Sequence, residues 1–134
     1  MSLRHPRAEA WEARLRDVFA RIDAELERDF GSRLPRHPVR PRHGATSQPE
    51  SDGLFDLGAA FSAGFGSAHG AGYVVDVRIA TLTRVPAALR REIEDRTLAR
   101  LREELPAAFP GRRLEVVRDG DAWKIVGDLG LGRA

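Results

Sequence analysis

The chain has no cysteine, one lysine, one methionine and one tyrosine, and each shortage excludes something. Without cysteine there is no disulfide framework and no thiolate metal site, and the redox compartment is left open. No stretch approaches the roughly 18 consecutive apolar residues of a membrane span, and no charged-then-apolar leader opens the sequence. A soluble, cytoplasmic protein with no membrane partner is the expectation. The single lysine, Lys124, stands against 21 arginines, yet the formal net charge is only +2. That ratio fits GC-rich codon usage as well as it fits anion binding. Where the charge sits is more informative than its sum: between Gly31 and Pro49 there are four arginines and no acid.

What is present reads as one domain over residues 1–134, a length that buries roughly two-thirds of its unfolded surface. Its centre is the stretch from Gly53 to Leu82. Phe55, Leu57, Ala59, Phe61, Ala63 and Phe65 fill every odd position, while Asp56, Gly58, Ala60, Ser62 and Gly64 fill the even ones. A period of two marks a strand with one filled face and one nearly bare face. Tyr73, Val75, Val77 and Ile79 repeat the pattern beyond a glycine-rich connection, so the two runs read as a hairpin with a seven-residue loop over 66–72. The loop glycines, Gly66, Gly70 and Gly72, are not a dinucleotide fingerprint. That motif needs a helix after it, and a strand follows here.

Residues 8–30 form an amphipathic helix. Trp11, Leu15, Val18, Phe19, Ile22, Leu26 and Phe30 recur at spacings of three and four, and Gly31 supplies the stop. Residues 86–105 form a second helix opened by Pro86, with Leu89, Ile93, Thr97, Leu101 and Leu105 four apart. Between the first helix and the hairpin, residues 31–53 show neither period. Pro35, Pro38 and Pro41 are three apart, the repeat of polyproline II, which puts His37, Arg40 and His43 on one face and Arg36, Val39 and Arg42 together on another. A connection this long is a solvated stiff linker, an ordered strap or a functional arm. Near the end, Asp119-Gly120 reads as a two-residue type I′ turn that sets Val116 opposite Trp123, Leu114 opposite Ile125 and Glu115 opposite Lys124. The glycine-rich tail from Gly127 continues no regular element.

The order is α-ββ-α-ββ, an α+β domain: hairpin, helix and hairpin over 54–134, preceded by helix and strap. A four-stranded, mainly antiparallel sheet with both helices on one face is expected. The order of elements is similar to that of LAGLIDADG homing endonucleases, with Asp29-Phe-Gly31 at the end of the first helix. The second helix ends Glu104-Leu105-Pro106 without the matching acid and glycine. It is also similar in outline to type III secretion chaperones, but lacks their extra strand and terminal helix. Neither resemblance identifies a family or a function.

The residues that could carry chemistry are few. The histidines have no His-x-x-x-His spacing, His37 and His43 lie six apart, and the sequence names no metal ligand set and no cofactor. Ser67 near His69 is not framed by a nucleophile elbow. His69, Asp76 and Arg78 could line a pocket at the glycine-rich loop, the basis for an enzyme reading. Arg33, Arg36, Arg40 and Arg42 could bind nucleic acid or another polyanion, although no aromatic side chain accompanies them to stack on a base. The favoured reading is a non-catalytic interaction module that self-associates. With both helices on one sheet face, the other face, or Tyr73 or Trp123, needs a cover: a second copy or the strap itself.

Overall fold

The computed structural model describes residues 6–48 and 51–129. The expected irregular tail lies outside the described residues from position 130 onward. The elements run α1 (Pro6–Phe30), β1 (Phe55–Ser62), β2 (Gly72–Ile79), α2 (Ala87–Ala108), β3 (Leu114–Asp119) and β4 (Ala122–Gly127). The four strands form one antiparallel sheet in the order β1-β2-β4-β3, and both helices lie on the same face of it. The α+β class and arrangement are those expected from the hydrophobic periods. No described helix is long and apolar enough to cross a membrane.

The α1 stripe is the centre of the core. Trp11, Leu15, Val18, Phe19, Ile22, Leu26 and Phe30 are all buried, as are Ile93, Leu98, Leu101 and Leu105 of α2. Thr97, also in the α2 stripe, is buried because its hydroxyl donates back to the Ile93 carbonyl (2.8 Å), which satisfies it without water. From the sheet, Phe55, Leu57, Tyr73, Val75, Val116 and Ile125 point into the same layer. Trp11 stacks between Tyr73 (4.9 Å between ring centres) and Phe109 (4.4 Å). The Tyr73 hydroxyl donates to Glu12 (3.0 Å). Tyr73 is therefore core and no contact surface, and Trp123 lies beneath the guanidinium groups of Arg102 and Arg118.

Three local expectations are corrected. First, β1 ends at Ser62, so Phe65 leaves the sheet and is 96 % exposed, and Phe61 at the strand end is 50 % exposed. The period of two runs past the end of the strand because Ala63-Gly-Phe continues it by composition alone. Second, the β3–β4 pairing is Asp119 with Ala122, Arg118 with Trp123, Val116 with Ile125 and Leu114 with Gly127. The turn is thus Gly120-Asp121, one residue later than expected, so each β3 residue faces a partner two positions further along β4. Gly120 has φ +64° and, among the described residues, none other than glycine has positive φ, so only the first central residue is left-handed, as in type II′. Glu115 faces Val126 instead of Lys124. Third, residues 31–48 are neither solvated linker nor lid over the bare sheet face. The amide of His37 donates to Ala80 (2.7 Å), the Thr81 hydroxyl to Pro35, and the Gly53 amide to Pro41 (2.8 Å). The strap is bound across the end of the sheet where β1 starts and β2 stops.

Candidate functional site

Asp23 sits inside the apolar stripe of α1, beside Ile22 and Leu26, and is 2 % exposed. Its neighbours four residues away are Phe19 and Glu27, so no basic residue of its own helix reaches it. The strap passes over it. The strap bends through two turns, closed by the Arg40 amide donating to His37 (2.9 Å) and the Ala45 amide to Arg42 (3.0 Å), and Arg40 and His43 reach the start of β1 from them. Arg40 donates to the carbonyls of Gly53 (3.1 Å), Asp52 (2.7 Å) and Phe55 (2.9 Å). This fixes the return of the chain into β1 and brings Asp52 against His43.

The result is a small acidic pocket. The His43 Nδ1 atom lies 3.5 Å from Asp23 Oδ1 and 3.6 Å from Asp52 Oδ1. Donor atoms of Asp23, Glu27 and His43 all lie within 4.8 Å of one another. Each neighbour is held from behind. Asp52 Oδ2 accepts from the Thr46 amide (3.0 Å) and hydroxyl (2.8 Å). Glu27 Oε1 accepts from the amides of Leu54 and Phe55. Gly53, at φ +71°, has no room for a side chain, since a Cβ there would run into the Glu27 carboxylate and His43 Cβ. Asp23 is different: both of its oxygens lack a hydrogen-bond partner, as does Asp52 Oδ1.

The two buried aspartates are pushed apart electrostatically. Burial, then the charges of Glu27 and Asp52, raise the Asp23 carboxyl from 3.8 to about 8, against a smaller opposing pull from Arg40. Burial also pushes Asp52 upward, but its hydrogen bonds from Thr46 and the nearby His43 outweigh this and hold it below the usual carboxylate range. One acid is thus anchored and ionised, and the other is left unsatisfied beside it. His43 keeps 36 % of its side chain exposed, so the pocket opens to solvent along the imidazole.

The residues singled out from the sequence fare differently. Arg78 pairs with Asp56 (2.9 Å) on the outer sheet face, and Asp76 lies opposite Gly58 with its side chain exposed. His69 belongs to the loop at the opposite end of β2. A strand advances about 3.3 Å per residue, so His69 and Arg78 cannot line one pocket. Of the strap arginines, Arg33 lies over the Phe30 ring, Arg36 donates to the Arg40 carbonyl (2.8 Å) and Arg42 is exposed. Arg40 is turned inward, so the four do not form one basic row.

The β1–β2 loop, residues 63–71, covers Lys124 on the outer face. Lys124 is 2 % exposed, pairs with Asp119 (2.8 Å) and donates to Gly70 (2.8 Å), while Ser67 donates to Asp119 (2.7 Å). Gly72 permits this, since a Cβ there would meet the Lys124 side chain at 2.8 Å. Every polar group in this cluster is satisfied, which marks a latch for the loop. The rest of the outer face is open: a Cβ at Gly58 would meet nothing within 4 Å.

A family described as "Uncharacterised protein" matches residues 6–127, which include both helices, all four strands and the strap. An uncharacterized protein of Borreliella burgdorferi (strain ATCC 35210 / DSM 4680 / CIP 102532 / B31) is 37 % identical over 106 residues, covering 79 % of this chain and 83 % of the relative. No solved structure matches. These similarities bring no reaction or ligand with them, and the chain belongs to this uncharacterised family.

Proposed function

We propose that the protein is a small non-catalytic interaction module that pairs with a second copy of itself along β1. The observation that carries this reading is an open strand edge without the usual protection. β1 is the outermost strand on its side of the sheet, and from Leu57 to Phe65 it and the loop beyond contain no charge and no proline. Edge strands are normally blunted by such residues, because their free N–H and C=O groups invite another strand. Phe61 and Phe65 remain exposed at the end of this run, and Gly58 and Ala60 leave the outer face flat. A two-fold antiparallel pairing of β1 with its copy joins two four-stranded sheets and brings the four phenylalanines of two chains toward one seam.

Ala60→Arg tests it. In a two-fold pair centred near Ala59 and Ala60, the substitution brings two like charges close across adjacent strands, which is destabilising. Within one chain position 60 is exposed, and the fold tolerates the change. Light scattering on dilute wild-type protein is expected to give the mass of a dimer and the variant that of a monomer. A wild-type monomer throughout the micromolar range would end the proposal.

A further inference from the structure

We infer that Asp23, Glu27, His43 and Asp52 form a binding site for one divalent first-row metal cation of the zinc or manganese class. The inference is independent of self-association, since the site lies under the strap and β1 pairs along its outer edge.

Two observations of different kinds support it. The first is spacing. Donors around one such ion, with bonds of about 2.0–2.2 Å, lie roughly 3–3.5 Å apart. His43 Nδ1 is 3.5 Å from Asp23 Oδ1, and with Glu27 the two form a donor set within 4.8 Å; Asp52 Oδ1, outside that set, lies 3.6 Å from the same imidazole. The second is the state of Asp23. A carboxylate 2 % exposed with neither oxygen hydrogen-bonded is costly unless something else meets it. Asp52 Oδ1 is unsatisfied in the same pocket. A cation between them and the imidazole satisfies all three orphaned oxygen positions at once.

The surroundings fit that role. Metal ligands are commonly oriented by hydrogen bonds to their remaining atoms. Here Thr46 holds the far oxygen of Asp52, and the amides of Leu54 and Phe55 hold Glu27. The orienting groups come from the strap and the start of β1, so the site exists only when the strap is docked. Three carboxylates face a single guanidinium, that of Arg40, which is committed to backbone carbonyls. A divalent charge balances the remainder. The mixed donors set the class: carboxylates suit manganese as well as magnesium and calcium, and the imidazole tilts the site toward first-row transition ions such as zinc and iron. The partly exposed edge of His43 gives the ion a way in.

The experiment is calorimetric titration of chelator-treated full-length protein with zinc, manganese, magnesium and calcium chlorides, followed by cobalt(II) with visible absorption as the readout of coordination. One equivalent of zinc or manganese is expected to bind at least about tenfold more tightly than magnesium or calcium. Asp23→Asn and His43→Gln are each expected to weaken it by at least about tenfold, and His37→Gln, in the same strap but outside the pocket, to leave it unchanged. Cobalt bound to wild type gains a d–d band that His43→Gln loses. No saturable equivalent of any transition cation in the wild type would overturn the inference, whatever the variants do. So would undiminished binding in Asp23→Asn and His43→Gln when circular dichroism shows both folded.

Discussion

Replacing Asp23 by asparagine should make the metal-free protein more stable at neutral and alkaline pH, which is unusual for a buried residue. The folded chain holds this carboxyl near 8 against an ordinary 3.8, because burial and the charges of Glu27, Asp52 and Asp56 all oppose ionisation. Arg40 opposes them, and His43 faces the same carboxylate. Between about pH 4 and pH 8 the folded state therefore keeps a proton that the unfolded chain has released. Stability must fall as pH rises through that window, by up to about 1.4 kcal/mol per unit. The full window corresponds to something on the order of 5 kcal/mol. Relaxation of the strap and entry of water past His43 should reduce the observable part to about 2–3 kcal/mol. Asparagine is neutral at every pH, keeps the shape, and carries N–H donors into a pocket otherwise rich in acceptors. Urea unfolding with chelator present, at pH 5 and pH 8, reads the difference. The variant should match or trail wild type at pH 5 and exceed it at pH 8. Equal destabilisation at both pH values would show that the carboxylate is a structural partner of His43 and refute the reasoning.

The turn and the latch give two further expectations. Gly120→Val puts a β-branched residue at φ +64° and should cost at least about 1 kcal/mol in chemical denaturation; an unchanged midpoint would remove the turn assignment. Lys124→Met removes the cation that holds Asp119 and Gly70, so the loop over 63–71 should become cleavable by protease while the circular dichroism of the sheet persists. In the wild type, hydrogen bonds from Lys124 and Ser67 hold the Asp119 carboxyl below the usual range. Its stabilisation is therefore present above the ordinary carboxylate pKa and lost only as pH falls through the depressed one, and the loop should loosen in strong acid and not at pH 5.

Helices and strands were legible because their stripes repeat over many residues. The α1 residues spaced at three and four from Trp11 to Phe30 are all buried, and the inward positions at the start of β1 are those its period names. The acidic pocket was not, because its members come from positions 23, 27, 43 and 52, and only the strap joins them. Two signals were nonetheless present. Asp23 and Glu27 lie four apart, with Asp23 inside an apolar stripe and without a basic residue three or four positions away. The proline spacing grouped His37, Arg40 and His43, and Arg40 and His43 do reach the pocket, although the strap gets there through two turns and not as a polyproline helix. The type I′ reading of Asp-Gly failed because β3 pairs one residue further toward the tip, through Asp119, so the glycine became the first turn residue and the Asp119 side chain holds Lys124.

The most direct measurement is amide hydrogen exchange across β1 over a dilution series. In a pair joined along this edge, the amides within Leu57–Ser62 that point away from β2 are shielded by the second copy. Their exchange should slow as concentration rises, while β3 at the other edge of the sheet stays unchanged and Ala60→Arg abolishes the effect. Exchange within Leu57–Ser62 that is fast and identical at every concentration would contradict self-association through β1.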